Sequence, residues 1–166
     1  EGEDLAKLST AALTAITSAA FGSIAVGDIT SVSSTQMGSL TTDQVTALTT
    51  AQAGVLTSVQ TPGLKSTQVS SLESVDLQQI KTSAFAVLGT GVMANLDSVQ
   101  MGALTTDQVK ALTTLQANAL TATQSIGITT DQTGALQTLA LSKIGEHTSE
   151  LQSLAYLVCR LLLEKK

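Results

Sequence analysis

Leu104-Thr105-Thr106-Asp107-Gln108-Val109-Lys110-Ala111 states a rule that most of the chain repeats. Leu40-Thr41-Thr42-Asp43-Gln44-Val45-Thr46-Ala47 is nearly the same octad, 64 residues earlier (104 − 40). Steps of eight from Leu8 meet an aliphatic residue at all eighteen positions through Ile144, with no slip of register. Repetition at a fixed short period is the signature of a stacked architecture and takes precedence over any local propensity.

Each place in the octad has its own character. Position three is Ser or Thr in fifteen of eighteen octads, the exceptions being Val26, Ala122 and Glu146. Position five is most often Gln, and position six is usually apolar, as at Leu13, Phe21, Met37, Val45 and Val109. Along one continuous helix a step of eight advances about 80° beyond two turns, so the Leu row would spiral around the cylinder. A strand would alternate polar and apolar, which positions one, six and eight do not. One short helix per octad fits. In Leu-Thr-x-x-Gln-Val the Thr is an N-cap, the Gln three residues later closes a capping box, and Leu and Val form the hydrophobic staple. The more regular hydroxyl at position three is the other candidate cap, and the two readings shift each helix start by one residue.

A single octad cannot fold alone. Burying a Leu, a Val and an Ala contributes roughly 4–6 kcal/mol, against about 8–16 kcal/mol of backbone entropy for eight residues. Bonding between stacked units must close the gap, which is the logic of a solenoid. The expected fold is therefore all-α, a superhelix of short helices around a narrow aliphatic core. Its expected parts are an Ala-rich lead-in and cap at 1–31, a solenoid at 32–143 and a closing amphipathic helix at 144–166. Two departures are expected inside the solenoid. Thr61-Pro62-Gly63 ends a helix early and makes a bulge, and the drifting stretch 72–95 is a wider, more helical segment.

Position four suggests a turn length. Its large aliphatics are Val59, Val75, Val99, Leu115 and Leu139, at spacings of 16, 24, 16 and 24. Five octads in two turns, or about 2.5 octads per turn, would gather these five on one flank. That flank is the candidate interaction surface.

Composition narrows the function. Charged residues make up 13%, aromatics 2%, and the net charge is −5. Few aromatic anchors and an acidic balance argue against nucleic acid and anionic membranes. No run of about eighteen apolar residues could span a membrane. Cys159, the single cysteine, reads as a small hydrophobe of the terminal helix rather than a nucleophile. His147 reads as a solvated or capping histidine with no catalytic or metal-binding partners. Asp43, Asp107 and Asp131 are whole octads apart, too far for a calcium loop, and suit the first turn of a helix. Gly89-Thr90-Gly91 lacks the Lys-Ser/Thr of a phosphate loop. Met37, Met93 and Met101 read as core filler. The sequence thus offers no catalytic constellation, no metal set and no cofactor motif. A threonine lattice for ice binding or surface adhesion is a third, minor reading.

The octads at 40–45 and 104–109 resemble the Leu-Thr-Thr-x-Gln-Val-x-Ala tracts of very large, repetitive bacterial secreted or cell-surface proteins of adhesin-like type, over Val32–Ala135. The resemblance implies a spacer or stalk displayed outside the cell and brings no catalytic residues. The opening Leu-Thr-x-x-Gln-Val also resembles repeats of plant-pathogen DNA-binding effectors. Those repeats are several times longer and basic, so the eight-residue period and the acidic charge set them aside. The expected function is a non-catalytic structural module, with self-association or protein binding through the apolar flank or the C-terminal helix as the alternative.

Overall fold

The computed structural model describes residues 2–143, with side chains through residue 136. Among these residues it holds sixteen α-helices, one 3-10 turn and no strand. The expected all-α solenoid is what forms. The amphipathic helix expected at 144–166, with His147 and Cys159, falls on residues outside those described.

Each regular octad folds in the same way. In the octad from Leu40, Leu40 (φ −53, ψ 145) and Thr41 (φ −73, ψ 159) are extended, and Thr42–Thr46 is helical. The position-two residue is the cap. Thr41 Oγ1 accepts the Gln44 N–H at 3.1 Å, while Gln44 Oε1 accepts the Thr41 N–H at 3.0 Å. Eight octads close the same complete box, at Ser33, Thr41, Thr49, Asp97, Thr105, Thr113, Thr121 and Thr129. Position three is therefore the first helical residue and not the cap. The position-two oxygen is the one that meets the position-five N–H, which is the geometry an N-cap needs.

Neighbouring octads splay around an axis, and the apolar residues at positions one and six meet inside. Leu13, Phe21, Ile29, Met37, Val45, Leu56, Val69, Leu77, Phe85 and Met93 are fully buried in one continuous cluster. Helices stack on the third octad before them. Ser74–Gln79 lies on Thr50–Val55, Ser98–Ala103 on Ser74–Gln79, and Thr106–Lys110 on Thr82–Phe85. Side-chain bonds between turns join residues 23 to 31 apart. One turn thus spans between three and four octads, which corrects the 2.5 read from position four. The position-four pattern does not report the pitch because that position points outward: Thr35, Asp43, Ala51, Thr67, Ser83, Gly91, Asp107 and Thr123 are all exposed.

Glycines mark where turns touch backbone to backbone, most closely at Gly63 and Gly127. A Cβ on Gly63 would collide with the Ser34 carbonyl oxygen, and one on Gly127 with that of Ser98. Neither has a positive φ, so close approach rather than chain reversal is what requires glycine. Pro62 does shorten its helix, leaving a 3-10 turn at Thr61–Gly63. It makes no bulge in register, because Gln60 keeps the bonds its equivalents make. The stretch 72–95 is not wider either. Ser74–Gln79, Thr82–Phe85 and Thr90–Ala94 are ordinary short helices. Among the described residues the one long helix is Thr130–Lys143, which runs through Leu136, where Gln137 stands in place of the usual capping residue.

Candidate functional site

The most repeated polar arrangement is a ladder of ten buried glutamines at position five: Gln36, Gln44, Gln52, Gln60, Gln68, Gln100, Gln108, Gln116, Gln124 and Gln132, each at most 5% exposed. In every one, Oε1 accepts the N–H of its own position-two residue at 2.6–3.1 Å. In every one, Nε2 donates to the position-one carbonyl 28 residues earlier, at 2.6–2.9 Å. The second Nε2 proton goes to the end of the preceding helix. Gln108 reaches Leu77 O at 2.9 Å and Gln124 reaches Met93 O at 2.6 Å. Gln52 and Gln116 take the carbonyl 30 residues back instead, Gly22 O and Ala86 O.

A primary amide suits this place better than any other side chain. It has one acceptor and two donors at fixed angles. Here the acceptor starts a helix and one donor meets a position-one carbonyl one turn below that no backbone N–H reaches, while the other adds to a helix-end carbonyl that in most rungs already accepts a backbone N–H, as Met93 O does from Leu96. Capping alone, the role legible in the octad, accounts for only half of each side chain. The other half was signalled by where the glutamines stop. Position five is Ala12, Ala20 and Asp28 in the first three octads and Asp76, Ala84 and Val92 in three later ones, so glutamine comes and goes in blocks, which capping within an octad does not explain.

The five aliphatics proposed as one flank do not lie in one column. Val75 and Val99 sit on the stacked helices Ser74–Gln79 and Ser98–Ala103, so these two adjoin. Leu115 lies on Thr114–Asn118, above Thr90–Ala94 with Gly91 at the matching position. Val59 precedes the 3-10 turn that bonds to the Thr82–Phe85 level, and the Leu139 side chain is outside those described. The longer turn separates residues that a 2.5-octad wheel would have gathered. All four described members are on the surface, from 52% exposed at Val75 to 74% at Val59.

The clefts are shallow. One, of about 470 Å³, lies between Thr10, Ser34, Gly38, Pro62 and Lys65. Another, of about 500 Å³, is lined by Glu3, Asp4, Asp28 and Ser31, and the Ser31 hydroxyl there is bonded to Gly2 O and Asp28 O. Among the described residues no group of three acidic, histidine or cysteine side chains could hold a metal ion. Asp43, Asp107 and Asp131 stand in first turns, as their spacing implied. Met37, Met93 and Met101 are in the core.

Stacked octads joined by inward amides define a helical repeat solenoid. A family model described as the ALTTAQ repeat matches residues 77–114, and over that stretch the chain is similar to that family. The hexapeptide itself stands outside the matched stretch at Ala47-Leu48-Thr49-Thr50-Ala51-Gln52, with the variant Ala111-Leu112-Thr113-Thr114-Leu115-Gln116 at the end of it. No curated protein and no solved structure matches the chain. No described helix is long and apolar enough to cross a membrane.

Proposed function

We propose that this chain is a non-catalytic structural module, a rod-like spacer or scaffold within a larger bacterial surface or secreted protein. The observation that carries this reading is the direction of the glutamines. The buried polar row that recurs along the chain is turned inward and bonded to backbone, so the polar chemistry repeated inside the coil is the chemistry of stacking. A solenoid built this way lengthens by adding octads without changing its cross-section, which is what a spacer requires. The similarity to a repeat family over residues 77–114 supports the same reading, as does the adhesin-like character of the Leu-Thr-Thr-x-Gln-Val tracts.

Small-angle scattering tests it. The chain is compared with a version in which Leu72–Ala135 is inserted a second time. The spacer reading expects a longer maximum dimension at unchanged cross-sectional radius. A particle that grows in cross-section refutes it.

One observation favours a second reading, a binding module. Val75 and Val99 adjoin on stacked helices while 52% and 70% exposed. Light scattering on a sizing column over a hundredfold dilution, with the chain and with Val75→Ser/Val99→Ser, separates the two. A concentration-dependent dimer lost in the variant favours docking, and a monomer throughout favours the plain spacer.

A further inference from the structure

We infer that the rod consists of two 64-residue blocks, 8–71 and 72–135, and that the level between them is a joint where the coil opens before it opens elsewhere. The glutamine ladder is interrupted once. Between Gln68 and Gln100, position five is Asp76, Ala84 and Val92. All three are buried, at 4%, 0% and 6% exposure, so they occupy the glutamine's place between two turns without its donors. Each stands 64 residues after a glutamine-free counterpart, at Ala12, Ala20 and Asp28 (76 − 12, 84 − 20, 92 − 28). Three octads without glutamine followed by five with it is thus the repeating unit, and the second unit begins on top of the first.

The consequence is confined to one interface. The position-one carbonyls in register below the gap belong to Leu48, Leu56 and Leu64 (28 before each), and no glutamine reaches them. Ala84 and Val92 have nothing to donate. Asp76 is an acceptor facing the place where its equivalents present N–H groups, and its Oδ1 is buried with no partner. One side-chain bond crosses at this level in their stead, from Thr61 Oγ1 to Ala84 O at 2.7 Å, beside the packing of Phe85 and Leu77. In a quasi-one-dimensional fold the coupling between neighbours sets where cooperativity breaks, and subglobal opening begins where that coupling is least.

Two valines form a matched pair of probes. Val45 and Val69 are both at position six and fully buried. Val69 lies 31 residues before Gln100, whose Nε2 bonds Val69 O at 3.1 Å. Val45 lies 31 before Asp76. In a Cys159→Ser background, Val45→Cys and Val69→Cys are labelled with a small disulfide reagent under native conditions, slowly enough that the rate follows the population of the open form. The expected result is that Val45→Cys labels at least about tenfold faster, the equivalent of about 1.4 kcal/mol. Adding Asp76→Gln slows it at least about threefold by supplying one rung, while adding Gln100→Leu to Val69→Cys accelerates that site by a similar factor. Equal rates at the two sites overturn the joint, and so does a Val45→Cys rate that Asp76→Gln leaves unchanged.

Discussion

Replacing Gln108 by Leu isolates what one rung contributes. Leucine nearly preserves the volume, so the change removes bonds rather than opening a cavity. The bonds lost are Thr105 N–H to Oε1 at 2.9 Å, Nε2 to Leu77 O and to Ile80 O, both at 2.9 Å, and a longer one from Nε2 to Gln78 O at 3.4 Å. The side chain is 1% exposed, so water does not readily replace the missing partners of the two buried carbonyls. A net 0.5–1.5 kcal/mol for each bond, with the higher part applying where a buried group is stranded, gives a loss of about 2–4 kcal/mol. Urea unfolding followed by far-UV circular dichroism reads this as a lower midpoint at unchanged slope. Gln78 is the control. It is exposed and donates a single bond to Ala103 O at 2.6 Å, so Gln78→Leu should cost less than about 1 kcal/mol. If Gln108→Leu costs no more than the control, the ladder is decoration and the account of stacking given above is wrong.

Other outcomes follow from the same geometry. Thr105→Ala removes a cap and should cost about 1 kcal/mol, while Thr106→Ala, one residue along, should change the urea midpoint by less than half as much. Gly63→Ala and Gly127→Ala put a Cβ into a backbone oxygen and should each destabilise by about 2 kcal/mol or more. Gly91→Ala, in a helix with open space around it, should raise thermal stability by about 0.5–1 kcal/mol. Equal effects at the three glycines would contradict the tight stacking. Gln108→Glu sets a carboxylate against two carbonyls, which disfavours ionisation and raises the folded-state pKa above the unfolded one. With that sign, the variant is best stabilised below the unfolded carboxyl value of about 4.3 and loses stability as pH rises. Its urea midpoint should lie below that of Gln108→Leu at pH 7 and approach it near pH 4; a pH-independent gap would count against the orientation assigned to the amide.

What could be read from the sequence was whatever depends on a few residues of one chain segment. The capping box, the staple and the apolar rows at positions one and six are interactions within five residues, and an eight-residue repeat displays each of them many times over, although the choice between positions two and three for the cap needed the structure. The length of a turn depends instead on which carbonyl the Gln108 amide meets 28 residues away, and no spacing inside an octad encodes that. The outward position four could not supply it, because residues such as Val59 and Leu115 are mostly exposed, and packing between turns constrains their identity little. Position five bears on it through its bonds rather than its spacing. Glutamine there ties two turns together, whereas Asp76, Ala84 and Val92 have a turn below them and leave its Leu48, Leu56 and Leu64 carbonyls unreached. The pitch of such a coil is therefore written in the bonds that position five makes across turns, and an octad protein of this kind with no gap in its glutamine row would be expected to lack the joint.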